Sequence, residues 1–401
     1  MTAVAGRIRA VPRSRWKTIG LVAALIVLAW FYPSYAESLQ DLPVIGDFVP
    51  STGSMVIMLA FTMMAIGLNV VVGYAGLLDL GYVAFYAAGA YTAGWFASQQ
   101  FENVTVHLGS PGISSSLPGI HVSMWLVLIG AGVFTTVVGI LIGLPTLRLR
   151  GDYLAIVTLG FGEIVPQFVR NGDNVFGFDL THGTFGISPI DSLGFGDFSF
   201  QRQSNRAELY YWTIIALLLI TVFCSIRLRD SRLGRAWIAI REDETAAAAM
   251  GVPLMRTKTW SYAIGAFFGG VAGAFYASFK SGAFPADFYF NISVFLLCMV
   301  ILGGMGSISG VLLAGMILGY LNVEGLATIG SKIENAGIQF DPTKYQFGIY
   351  GVIIVLMMLF RPTGLIPEQR RRLELEEGVH DTPFYDVQLE GADTDRDRSD
   401  D

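Results

Sequence analysis

Apolar residues run along this 401-residue chain in long unbroken blocks, neither alternating nor recurring on one helical face. Ten blocks stand out: 19–36, 55–72, 82–98, 121–143, 153–169, 209–226, 259–280, 288–303, 306–322 and 346–360. A helix needs about 20 mostly apolar residues to cross a bilayer, so the pattern predicts an all-α polytopic membrane protein with about ten transmembrane helices. The fifth, eighth, ninth and tenth blocks are short or carry polar residues. They are expected to be tilted, broken or enclosed by other helices.

Positive charge orients this layout. With the N-terminus inside and the spans alternating, 20 of the 26 Lys and Arg fall in inside segments, the bias expected of cytoplasmic loops. The expected parts are a cytoplasmic segment 1–18 and a transmembrane region 19–367. The latter holds an external loop 170–208 and a cytoplasmic loop 227–258. An acidic tail 368–401, with almost no aromatic residues, is expected to be disordered and cytoplasmic. Arg370–Arg372 could rest on anionic lipid headgroups. A competing reading of residues 7–36 is a cleaved signal peptide, which would leave nine spans.

Composition sharpens the class. The chain is 53% apolar and only 14% charged, against about 25% charged in soluble domains. Its net charge of −6 and lack of a basic groove-forming cluster give no nucleic-acid footprint. Cys224 and Cys298 fall inside apolar blocks, and the four histidines have no metal-ligand spacing, so no metal is expected. A phosphate-binding loop needs Gly-Lys before Ser or Thr. None of the five lysines follows a glycine, so no ATP site is expected in this chain.

The cytoplasmic loop is the most informative segment. Leu233, Trp237, Ile240 and Glu244 recur at helical spacing, and an alanine run follows. Gly251 and Pro253 supply a stop signal. One surface helix is expected to display Arg241, Glu242, Asp243 and Glu244. Arg241 and Glu244, three apart, could pair with each other.

Here the sequence resembles a known family. Glu244, Ala246, Ala247 and Gly251 match the EAA-type loop of bacterial ABC importer permeases. The run GRAWIAIREDE over 234–244 is similar to LivM-type permeases of branched-chain amino acid transporters. So are 67–81, 148–163, 300–310 and 361–367. The resemblance implies an ABC importer permease fold in the bacterial inner membrane, with no enzyme activity of its own. It implies a LivH-type second permease, two cytoplasmic ABC ATPases that bind ATP, and an extracytoplasmic substrate-binding protein. It implies ATPase contact through Arg241, Glu242, Asp243, Glu244, Ala247 and Gly251, with Glu244 at the groove, and import of leucine, isoleucine and valine. A urea or short-amide permease is a close rival of the same architecture.

Polar residues at membrane depth are costly and mark candidate translocation paths. Asn69, Asp79, Glu163 and Asn291 are the candidates. Asp79 could instead cap a helix start in a short turn, and Glu163 could pair with Arg170. Asp79 and Asp152 could also be imagined as an intramembrane aspartyl dyad, and Glu163 as a proton relay. Gly265, Gly269 and Gly273, with Gly306, Gly310, Gly315 and Gly319, carry four-residue spacing explained by close helix packing.

Overall fold

The computed structural model describes residues 29–366, apart from 42–45, 113–116, 150, 176, 197, 336–339 and 362. The N-terminal segment 1–18, most of the first expected span and the acidic tail lie outside the described residues.

Thirteen α-helices follow one another in the described chain: α1 (Tyr32–Gln40), α2 (Thr52–Asn69), α3 (Val83–Phe96), α4 (Met124–Thr146), α5 (Asp152–Arg170), α6 (Arg206–Arg229), α7 (Arg232–Glu242), α8 (Glu244–Ala249), α9 (Leu254–Lys280), α10 (Phe290–Gly303), α11 (Ile308–Tyr320), α12 (Leu326–Asn335) and α13 (Gln346–Phe360). Among the described residues, six helical stretches are long and apolar enough to cross a membrane: 46–74, 124–146, 206–229, 254–280, 308–335 and 342–360. The chain is therefore a multi-pass helical protein. Each of the other expected spans from 82 onward also meets a helix. Of these, α3 and α10 are short, at 14 residues each, and α5 interrupts its apolar run with Glu163, Pro166 and Gln167.

The ninth span is longer than its apolar block suggested. A π-helical turn at Leu321–Gly325 joins α11 to α12, so the helix runs on past Glu324 and Lys332 to Asn335. A second π-helical turn, Val70–Tyr74, extends α2.

Helix α2 is the centre of the bundle. Ser51 caps its start by accepting from the Ser54 amide, and from Met58 onward nearly every side chain is buried. An apolar surface all round is what a fully enclosed helix requires. Lipid is as apolar as leucine, so close approach of backbones, not water exclusion, must hold such helices together. The glycines provide that approach. A Cβ on Gly273 of α9 would lie 2.1 Å from the Tyr86 carbonyl of α3. One on Gly270 would lie 2.0 Å from the Thr135 hydroxyl of α4, and one on Gly315 would lie 2.6 Å from the Thr62 hydroxyl of α2. The four-residue glycine spacing thus marks real helix crossings.

The two ends of the bundle differ. One carries α7 and α8. The other carries a three-stranded sheet in the order β1 (Ala97–Ser98), β3 (Gly119–Val122), β2 (Thr105–Leu108), with β2 and β3 parallel. A hairpin, β4 (Gly194–Phe195) and β5 (Phe198–Ser199), lies at that same end. There the described part of the segment 170–208 forms a cap. Its Asp191 amide donates to the Ala97 carbonyl, and Trp125 Nε1 donates to the Gly194 carbonyl. His107 and His121, remote in sequence, stack at 5.1 Å, and His121 Nδ1 lies 2.9 Å from Asp191. Among the described residues, no group of three His, Cys, Asp or Glu side chains is placed to hold a metal.

Candidate functional site

The 227–258 loop folds into two helices, not one. Ser231 caps α7 by accepting from the Gly234 amide at 3.2 Å. Trp237 is fully buried, and its Nε1 donates to the Thr257 carbonyl at 2.8 Å, pinning α7 to the start of α9. Asp243 then turns the backbone extended (φ −151°, ψ 112°) and restarts the helix as its N-cap. Its Oδ1 accepts from the amides of Thr245 (2.7 Å) and Ala246 (3.0 Å) and from the Thr245 hydroxyl (2.6 Å). The Thr245 hydroxyl, then the two amides, hold this carboxyl below the usual carboxylate range. Gly251 (φ +84°) ends α8. The Gly251 amide donates to the Ala248 carbonyl and the Val252 amide to the Ala247 carbonyl, both at 3.0 Å. That pair is the Schellman ending a left-handed glycine provides.

The break at Asp243 sorts the charged residues onto two sides. Arg241 turns inward, and its Nη1 donates to the Gly73 carbonyl at 2.6 Å. Glu244 also turns inward, its Oε1 2.8 Å from Lys258 Nζ, with the lysine side chain only 4% exposed. The expected Arg241–Glu244 pair does not form, because Asp243 ends the helix that would have stacked them. Glu244 is only partly exposed, not fully displayed as the single-helix reading expected. Ala247 is buried, while Glu242, Asp243, Ala246, Ala248, Ala249 and Met250 face outward, Met250 being 85% exposed. Gly251 is also exposed. Beneath the helices lies a cavity of about 260 Å³ whose lining includes Leu77, Leu149, Ile240, Arg241, Glu244 and Lys258. Lys258 and Gly73 were not singled out in the sequence. The first lies in the polar start of α9, beside Arg256, Thr257 and Thr259, where no local signal marks one cation as enclosed. No local signal exists for the second, which is 168 residues from Arg241.

The four polar path candidates do not form one cluster. Asn69 is fully buried, and its Oδ1 accepts from the Gly306 amide at 2.9 Å, joining α2 to the turn between α10 and α11. Asp79 is buried in the turn before α3, where its Oδ1 accepts from the Gly81 amide at 2.8 Å. Neighbouring amides of that turn are met by other helices: Leu80 donates to Thr158 Oγ1 and Val83 to Ser293 Oγ. Glu163 and Asn291 are exposed on the outside of this chain. They lie on adjoining helices, since a Cβ on Gly162 of α5 would touch the Phe290 ring of α10. Arg170 does not pair with Glu163. It donates to the Tyr289 hydroxyl and covers that ring at 5.0 Å.

Residues 52–358 match the family described as branched-chain amino acid transport system, permease component. The high-affinity branched-chain amino acid transport permease LivM of Escherichia coli is 34% identical over 367 residues, covering 86% of this chain and 77% of that protein. The probable LivM permease of Methanocaldococcus jannaschii is 28% identical, covering 77% of this chain and 91% of the relative. The LivH permease of Salmonella typhimurium is 24% identical over 318 residues, covering 76% and 91%. No solved structure matches. These relatives are transport permeases, a role that is not enzymatic. With its matching segment taking in α2 through most of α13, the chain belongs to the family of branched-chain amino acid transport permease components.

Proposed function

We propose that this chain is the LivM-type half of the pore in an ATP-driven importer of leucine, isoleucine and valine in the bacterial cytoplasmic membrane. The 34% identity to a LivM permease across most of both chains carries this reading. On it, the chain has the ten-span ABC importer permease fold, and the end bearing α7 and α8 is cytoplasmic with both termini. A LivH-type permease completes the pore. Two ABC ATPases bind ATP and dock on the outward face of α7 and α8, and a substrate-binding protein delivers ligand to the capped end.

The outward face suits such docking. Met250 and the small side chains Ala246, Ala248 and Ala249 offer an apolar knob, flanked by the exposed Glu242 and Asp243. The partner permease is supported by the outer faces of α5 and α13. Helix α13 packs Tyr350, Ile353 and Met357 against the core and leaves Val352, Val355 and Leu359 on its opposite side exposed. On α5, Glu163 is exposed among Tyr153, Ile156, Ile164 and Phe168. A carboxylate facing lipid at membrane depth is costly, so this face is one to be covered by protein or by a water-filled path. Glu163 and Asn291 then line the seam between the two permeases, while Asn69 and Asp79 hold its framework.

The test is uptake of labelled leucine by cells with and without the gene, with isoleucine, valine and urea as competitors. Uptake that needs the gene and is blocked by isoleucine and valine but not urea is the expected result. Unchanged leucine uptake with gene-dependent urea uptake would move the substrate to amides.

A further inference from the structure

The inward side of the coupling loop ends on a particular atom. Helix α2 finishes in its π-helical turn at Val70–Tyr74, and Gly76 (φ +68°) reverses the chain, with the Leu77 amide donating to the Val71 carbonyl. The last carbonyls of a helix carry partial negative charge and lack intrahelical partners. The Gly73 carbonyl, in that last turn, accepts from the Arg241 guanidinium. A cation from a helix remote in sequence thus caps the C-terminal end of the central helix.

The contact is tight on both sides. A Cβ on Gly76 would lie 2.6 Å from Arg241 Cγ. A Cβ on Gly73 would lie 2.0 Å from Asn69 Oδ1 and 2.5 Å from the Gly306 amide nitrogen. Gly73 therefore sits where three elements meet: the end of α2, the arginine of α7 and the glycine turn between α10 and α11. Asn69, one turn back, accepts from the Gly306 amide, and Tyr74, the next residue, bonds Ser225 on α6 at 3.1 Å. π-helical turns arise at functional sites and provide a local break in helix winding.

We propose that Arg241 is a positioning residue that carries displacement of α7 and α8 into the pore domain, through Gly73 and Asn69 to the turn at Gly304–Gly306. It does not contact the ATPases. The inference rests on the permease reading above. The outward residues take up ATPase motion, and Arg241 hands it to the π-helical turn of α2. Cores and packed junctions respond to small shifts by switching arrangement, not by stretching, so one charge-assisted hydrogen bond at a three-way junction is a suitable lever.

The test uses the complete transporter in proteoliposomes, reading leucine imported and ATP hydrolysed in the same vesicles. Arg241→Met is expected to assemble with its ATPases in wild-type ratio and to hydrolyse ATP within about twofold of wild type. Its leucine imported per ATP should fall at least fivefold. Arg241→Lys, which keeps the cation and its donors but not the guanidinium fork, should recover part of that ratio. Asn69→Ala, which cuts the far end of the path with Arg241 intact, should lower the ratio similarly. The double variant should be no worse than the poorer single variant. Loss of ATPase subunits in proportion to loss of transport would place Arg241 at the ATPase surface and overturn the proposal. So would an unchanged ratio, or effects of Arg241→Met and Asn69→Ala that multiply. If Arg241→Met does not fold and insert in the membrane, Arg241→Lys combined with Asn69→Ala makes the same comparison. A wild-type complex that hydrolyses ATP without importing leucine would instead overturn the leucine reading, and imported substrate per ATP in the same variants is then read with labelled urea.

Discussion

Reversing the charge of Glu244 separates two roles for it. In Glu244→Lys, a second ammonium group faces Lys258 where the native pair stands at 2.8 Å. Two like charges about 4 Å apart repel by about 4 kcal/mol at an effective dielectric of 20. The Lys258 side chain is 4% exposed and cannot escape, but the Glu244 position is 27% exposed, so a new lysine can swing partly into solvent. A net destabilisation of roughly 2–3 kcal/mol remains, mostly from leaving the enclosed Lys258 unpaired. Adding Lys258→Glu restores an opposite-charge pair with its order reversed. A cation at the first position of α8 opposes the helix dipole by about 0.3–1 kcal/mol, so recovery should be nearly but not fully complete. The assay is thermal unfolding of the purified complex, together with retention of ATPase subunits and leucine transport for both single variants and the double variant. Glu244→Lys should lose stability and subunits together, and the swapped pair should regain most of both. A swapped variant that regains stability but not ATPase binding would show that Glu244 itself meets the ATPase.

Three further outcomes follow from the same geometry. Gly273→Ala drives a Cβ to 2.1 Å from the Tyr86 carbonyl and should cost about 1–3 kcal/mol by overpacking. Gly160→Ala has open space around it and should be neutral or stabilising by up to ~1 kcal/mol, so equal melting shifts in the two would contradict the crossing of α3 and α9. The Asp243 cap gives a pH dependence: its carboxyl is lowered in the folded chain, so its contribution is present above the ordinary carboxylate range and is lost as pH falls through the folded value. Exchange of the Thr245 and Ala246 amides, corrected for intrinsic rates, should accelerate in acid in the wild type and not in Asp243→Asn, which caps without titrating. Glu163→Leu should leave the assembled complex stable while lowering leucine transport several-fold; unchanged transport would remove Glu163 from the path.

Much of this architecture was legible along the chain. Blocks from 55 onward each met a helix because a spanning segment must satisfy its backbone internally, and long apolar runs leave no other option. The extension of α11 into α12 was hidden because Glu324 and Lys332 break the apolar run. Glu324 accepts from the Ser51 amide and Lys332 lies 3.2 Å from Asp47, so both charges are met at the capped end of the bundle. The loop shows the limit of local reading. Helical spacing and alanine propensity pass straight through Asp243, although Asp before Glu-Thr also reads as a helix cap. That second signal is the one the backbone follows, and it undoes the Arg241–Glu244 pairing. The true partners, Gly73 and Lys258, are set by how α2 and α9 pack, which no spacing within the loop encodes. Among the path candidates, only the turn role of Asp79 was readable from its neighbours. The outward placement of Glu163 and Asn291 depends on which helix faces this chain leaves uncovered.

The most direct measurement is leucine import into proteoliposomes holding this chain with a LivH-type permease and the two ATPases, supplied with the binding protein outside and ATP inside. The expected result is import that needs ATP and this chain, competed by isoleucine and valine, and lost when the outward face is blocked by Met250→Asp. Import that proceeds without ATP, or a complex that assembles and transports with Met250→Asp as well as wild type, would contradict a permease driven through α7 and α8.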